Sequence, residues 1–142
     1  MIESNCIGDE EIQTIRTLAN DFDKAWNARD AKLFSTFFTM DGDMHFITLN
    51  MRMQGRDEVT RAYTKIFSEM APEIKHKTTA KEIHVLTHDV VLLDTTTDIM
   101  TLDAQGQEKI LRRHTAAGIL LKTEEGWRIR ASRIWSEQIS AA

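Results

Sequence analysis

Cysteine is almost missing from this chain: Cys6 is the single one in 142 residues. That excludes an intramolecular disulfide and any Cys-x-x-Cys metal or redox motif, and the lone thiol lies ahead of the first predicted element. Proline is equally scarce, with Pro72 alone to interrupt regular structure. No apolar run approaches the roughly 20 residues that a membrane helix needs, and the first residues have neither the basic region nor the apolar core of a secretory signal. A net charge of −4 without a basic stripe argues against nucleic acid as the main partner. A glycine-rich phosphate loop and a G-x-S-x-G elbow are both missing. His84 and His88 are four apart, a spacing that converges on a helix but not across a strand and its turn, and His45 and His76 form no ligand cluster. These absences leave the expectation of a soluble, cytoplasmic protein without metal or cofactor. Its domain is expected to span residues 9–138, after a flexible N-terminus over 1–8.

Hydrophobic spacing supplies the elements. Asp9, Glu10 and Glu11 load the first turn of a helix, and Ile12, Ile15, Ala19, Phe22 and Trp26 follow in steps of three and four to about Asn27. Asp30 is placed to cap a short helix carrying Leu33, Phe34 and Phe37. Asp41-Gly42-Asp43 reads as a turn before a short strand from Met44 to Thr48, which Leu49-Asn50-Met51 turns back toward Arg52–Gln54. Asp57 then caps a helix through Val59, Tyr63, Ile66, Phe67 and Met70, closed by Pro72. Beyond Glu73 the helical period vanishes, and four strands separated by turns at 88–89, 103–106 and 123–126 run to Glu137. Helices followed by a meander predict an α+β fold.

The last hairpin organises the chain. Its first strand carries Ile110, Arg112, His114, Ala116, Gly118 and Leu120 on one face. An even turn places Trp127, Ile129, Ala131, Arg133 and Trp135 on the same side. That predicts a pocket wall of aromatic and basic groups with small residues leaving room between them.

Four motifs carry a family resemblance. They are Trp26-Asn27-Ala28-Arg29-Asp30, Phe38-Thr39-Met40-Asp41, Gly55-Arg56 ahead of an amphipathic helix, and Gly126-Trp127-Arg128-Ile129. In this order they resemble the NTF2-like superfamily, in its SnoaL-like, DUF4440-like branch (the SgcJ/EcaC family). The resemblance implies a cone in which a curved, largely antiparallel sheet wraps over three helices of the N-terminal half. Matched to the ketosteroid isomerases of this superfamily, the catalytic positions fall on Phe22, Phe46 and Gly118. None of these handles a proton, so steroid isomerisation is not implied.

His114 is the candidate acid–base group and Arg133 the candidate for stabilising negative charge. Phe22, Trp26, Phe38, Phe46, Gly118 and Trp135 are the candidate ligand-lining residues. The other reading of Arg112, His114, Arg133 and Glu137 is a structural network, with Arg112 and Glu137 paired across the strands. Asp94, Thr96 and Asp98 share one strand face, whose direction the sequence leaves open. Dehydratases of this fold use an acid on the first helix with histidines on strands, and Asp23 with His114 and His45 is an echo of that arrangement. Two functions follow. One is a cofactor-free isomerase, dehydratase or cyclase acting on a small carbonyl- or carboxylate-bearing molecule. The other is a non-catalytic association module that pairs into a homodimer through Leu111, Thr115, Ala117, Ile119 and Leu121.

Overall fold

The computed structural model describes residues 7–141, so the expectations for Cys6 and most of the N-terminus lie outside the described residues. Helix α1 (Asp9–Asn27) starts on its three acidic residues and buries Ile15, Ala19 and Trp26. Asp30 accepts a hydrogen bond from the Leu33 amide at 3.0 Å and starts α2 (Ala31–Ser35). Helix α3 (Arg56–Glu69) begins ahead of the expected Asp57 cap. Gly55 is its N-cap at φ 86°, a left-handed conformation that costs glycine little.

Six strands follow the helices or lie between them: β1 (Phe38–Phe46), β2 (Met51–Gln54), β3 (Lys75–Thr87), β4 (Val90–Leu102), β5 (Glu108–Thr123) and β6 (Gly126–Gln138). They form one sheet in the order β2-β1-β6-β5-β4-β3, parallel between β1 and β6 and antiparallel elsewhere. The expected α+β arrangement is therefore present. One expectation is corrected: Asp41-Gly42-Asp43 lies inside β1. The β1–β6 register jumps from Phe38↔Ile129 to Asp43↔Ala131, and a Cβ on Gly42 would lie 2.7 Å from the Ile129 carbonyl oxygen. Glycine sits there because two backbones nearly touch, not because the chain reverses.

Register shifts also interrupt β3–β4 after Ala80, β4–β5 at Ile99 and β5–β6 at Ile119. Each inserts an unpaired residue that bends its strand, and together they curl the sheet over the helices. The core divides in two. Phe34, fully buried, packs its ring 4.6 Å from Phe22 and 4.5 Å from Tyr63 by centroid. A second cluster gathers Ile15, Val91, Leu120 and Trp127 at the other end of α1. Between the two, the concave face of the sheet is left unfilled.

Candidate functional site

That unfilled space is a cavity of about 290 Å³, near the lower bound of the roughly 300–1,000 Å³ typical of small-molecule pockets. Most of its wall is apolar, including Phe22, Trp26, Met44, Phe46, Leu93 and Leu120. The polar groups concentrate in two neighbouring rows across the sheet. One row runs His76–Ile99–Arg112 and the other Thr78–Thr97–His114.

His76 is the most constrained of these groups. It is buried, its ring stacks on Trp26 with centroids 4.5 Å apart at 22°, and its Nδ1 lies 2.7 Å from Asp23 Oδ1. The Thr78 amide donates to Asp23 Oδ2 at 2.6 Å and the Thr78 hydroxyl to Oδ1 at 2.8 Å. Thr97 sits 2.9 Å from the Thr78 hydroxyl. Since that hydroxyl's proton goes to Asp23, Thr97 is the donor to Thr78. A carboxylate only accepts, so the ring proton of His76 belongs on Nδ1, and Nε2 is left as an acceptor without a partner among the described residues, in a ring that borders the cavity. Asn27 fixes the backbone beneath, donating to the His76 carbonyl at 3.0 Å and accepting from its amide at 2.9 Å. Burial lowers the pKa of His76, and Asp23 opposes that shift. The imidazole is thereby a neutral base held in one tautomer.

His114 also faces the cavity, edge-on to Phe46 with ring centroids 5.4 Å apart. Its Nδ1 is buried and has no hydrogen-bond partner among the described residues. Burial, then the neighbouring His76 and Arg112, which disfavour a second positive charge, lower its pKa to about 4. Burial raises that of Tyr63, whose hydroxyl meets the Met44 sulfur at 3.8 Å.

Of the expected lining residues, Phe22, Trp26, Phe46 and Gly118 border the cavity together with His114. Phe38 is fully buried in the aromatic core behind it. Arg133 and Trp135 require correction, because both lie on the outer face of the sheet. The pairing runs Leu120↔Ile129 and then Ile119↔Ala131, so Arg130 is an extra residue in β6. One extra residue inverts the alternation. Ser132, Ile134 and Ser136 thus share the face of His114. Arg133 instead binds Asp43 at 2.6 Å, and Trp135 is 46% exposed.

The open orientation on β4 is resolved by the same alternation. Thr95 and Thr97 line the cavity, while Asp94 and Asp98 point outward to His84 at 3.2 Å and Arg113 at 2.7 Å. Asp23 pairs with His76, not with His114 or His45; His45 lies opposite Arg133, toward the outer face. His76 itself was missed as a site residue. The available signal was Asp23, an acid beside the apolar stripe of α1 that needs a buried partner. Glu82, His84 and Asp94, largely exposed, bring one ligand atom each within 4.8 Å of one another, close enough to hold an ion. His84 meets Asp94 across the β3–β4 pair there.

Three helices closed by a curved mixed sheet around a mostly apolar cavity define the NTF2-like, cystatin-like class of α+β cones. The chain belongs to the SnoaL-like domain family, which matches residues 15–140. No curated protein matches the sequence. Among solved structures it is similar to an NTF2-like protein with a cystatin-like fold from Novosphingobium aromaticivorans (14% identity, 94% of this chain and 84% of that one, TM-score 0.75). It is also similar to a ketosteroid isomerase-like protein from Erwinia carotovora atroseptica (20% identity, 94% and 100%, TM-score 0.71). A third is Aln2 from a Streptomyces species (10% identity, 92% and 94%, TM-score 0.77). At these identities the likeness concerns the fold. No helix among the described residues is long and apolar enough to cross a membrane.

Proposed function

We propose that this protein is an acid–base enzyme of the isomerase, dehydratase or cyclase type. Its substrate is a small, partly apolar molecule bearing a carbonyl or carboxylate, bound in the cavity. The observation that carries the reading is the Asp23–His76 pair, with Nδ1 engaged at 2.7 Å and the other nitrogen left as an acceptor in a ring that borders the cavity. His76 Nε2 removes a proton from carbon beside the carbonyl, while Asp23 holds the tautomer and offsets the imidazolium charge that forms. His114, neutral near pH 7, donates an N–H to the oxygen where negative charge develops. A neutral imidazole can serve as such an electrophile. The four motifs further support placement in the DUF4440-like branch.

The test is deuterium uptake at carbons next to the carbonyl, followed by NMR in D₂O over a panel of small cyclic and open-chain ketones. His76→Gln is expected to slow exchange by about 10²–10⁴. Equal exchange by both proteins across the panel would refute the reading.

A second reading concerns association. Trp135, 46% exposed, lies across from Thr115 and beside the half-buried Ala117, Ile119 and Leu121 on the outer sheet face. Arg133 and Asp94 flank Ala117 in one cross-strand row. A two-fold axis along β5 sets the arginine side of one copy over the aspartate side of the next. A homodimer of about 33 kDa, twice the 16.3 kDa chain, is expected by light scattering, and a monomer at micromolar concentration removes this reading.

A further inference from the structure

Five arginines on the sheet and α3 meet an acid: Arg52 and Arg133 with Asp43, Arg56 with Glu125, Arg113 with Asp98, and Arg130 with Asp41. Among the described residues Arg61, Arg112 and Arg128 have no carboxylate within ion-pair distance, and of these three only Arg112, which is half-buried, lines the cavity. Arg112 Nε donates to Ser136 Oγ at 2.9 Å, which orients the guanidinium and leaves its two terminal nitrogens without a partner among the described residues. Sequence spacing suggested Glu137 as its counter-ion. The extra residue at Arg130 overturns that pairing, because Glu137 lies opposite Arg113 on the other face. An unpaired guanidinium in an apolar wall is costly unless something completes it. Its planar fork fits a carboxylate with two parallel hydrogen bonds.

We propose that the ligand of this cavity is a small apolar monocarboxylate and that Arg112 is the residue that binds its carboxylate. The proposal rests on the acid–base reading only in taking this cavity as the ligand site. Geometry gives the ligand a direction. Arg112 and His76 occupy one cross-strand row with Ile99 between them, so their backbones are about 10 Å apart at ~4.8 Å per strand. Both side chains lean into the same concavity. A carboxylate on Arg112 therefore sets the carbons next to it toward His76, and the apolar remainder toward Ala116, Gly118 and Leu120.

Hexanoate and its neutral counterpart hexanamide, compared by isothermal titration at pH 8, test this directly. Wild-type protein is expected to bind hexanoate on the order of ten- to a hundred-fold more tightly, the range of hydrogen bonds to a charged group. Arg112→Met is expected to bring the two affinities together, weakening hexanoate far more than hexanamide. Arg112→Lys is expected to keep only part of the preference. Equal affinities in the wild-type protein, binding of neither compound at millimolar concentration, or a preference that survives in Arg112→Met would each overturn the proposal. The wild-type comparison stands even where a variant fails to fold. Loss of proton exchange in His76→Gln without any carboxylate preference would retain the acid–base reading and remove this one. Arg112-dependent carboxylate binding by a protein without exchange activity would do the reverse.

Discussion

Asp23→Ala is expected to destabilise the protein by about 3–5 kcal/mol, the combined effect of several buried donors losing one acceptor. Asp23 is 9% exposed, and its carboxylate accepts from His76 Nδ1, the Thr78 amide and the Thr78 hydroxyl. Alanine strands all three donors away from water, and each buried donor left unsatisfied costs about 1–3 kcal/mol. Asp23→Asn separates structure from chemistry. The asparagine oxygen still accepts from Thr78, so the stability loss is expected to fall to about 1–2 kcal/mol. Its NH₂ group, however, now faces His76 Nδ1 and drives the proton to Nε2. A tautomer error of this kind costs on the order of 10⁴ in rate in a serine protease triad. Urea denaturation reads the first effect, and ¹⁵N shifts of the His76 ring read the second without knowledge of the substrate. An Asp23→Asn protein whose His76 still carries its proton on Nδ1 would show that Asp23 does not set the tautomer.

Acidification from pH 6.5 to 4 is expected to remove about 2–3 kcal/mol of stability through His114. An unfolded histidine takes up its proton near 6.5, whereas the folded His114 does so only near 4, chiefly because of burial. Between these values the unfolded chain holds more protons, so stability present above pH 6.5 falls as the pH drops through this window. The full difference corresponds to about 3 kcal/mol, and the partial exposure of the ring reduces it. His76 is shifted in the same direction and adds to the slope. The measurement is Tm against pH for the wild-type protein and His114→Leu. The variant should show the flatter curve, and parallel curves would mean that His114 titrates normally in the folded chain.

Much of the architecture was legible in local pattern. Ile15, Ala19, Phe22 and Trp26 recur at helical spacing, Asp30 precedes an apolar turn, and alternation marks the strands of the final meander. Local propensity and burial of one face settle such elements without reference to distant residues. The site was legible in part for the same reason: Phe22, Trp26, His114 and Gly118 belong to faces that any arrangement of this order turns toward the sheet's concavity. Asp41-Gly42-Asp43 misled because glycine marks both turns and close backbone approach, and only the position of Ile129 distinguishes them.

The amino-acid order alone determined the α+β class, the three helices, the closing hairpin and the inward imidazole of His114, all consequences of period and turn chemistry acting over a few residues. Tertiary structure decided the rest. An unpaired residue at Arg130, unmarked by glycine or proline, turned Arg133 and Trp135 outward and left Arg112 without Glu137. Contact between residues 53 apart joined Asp23 to His76. Register and long-range pairing are set by how whole faces fit together, so no short stretch of sequence contains them.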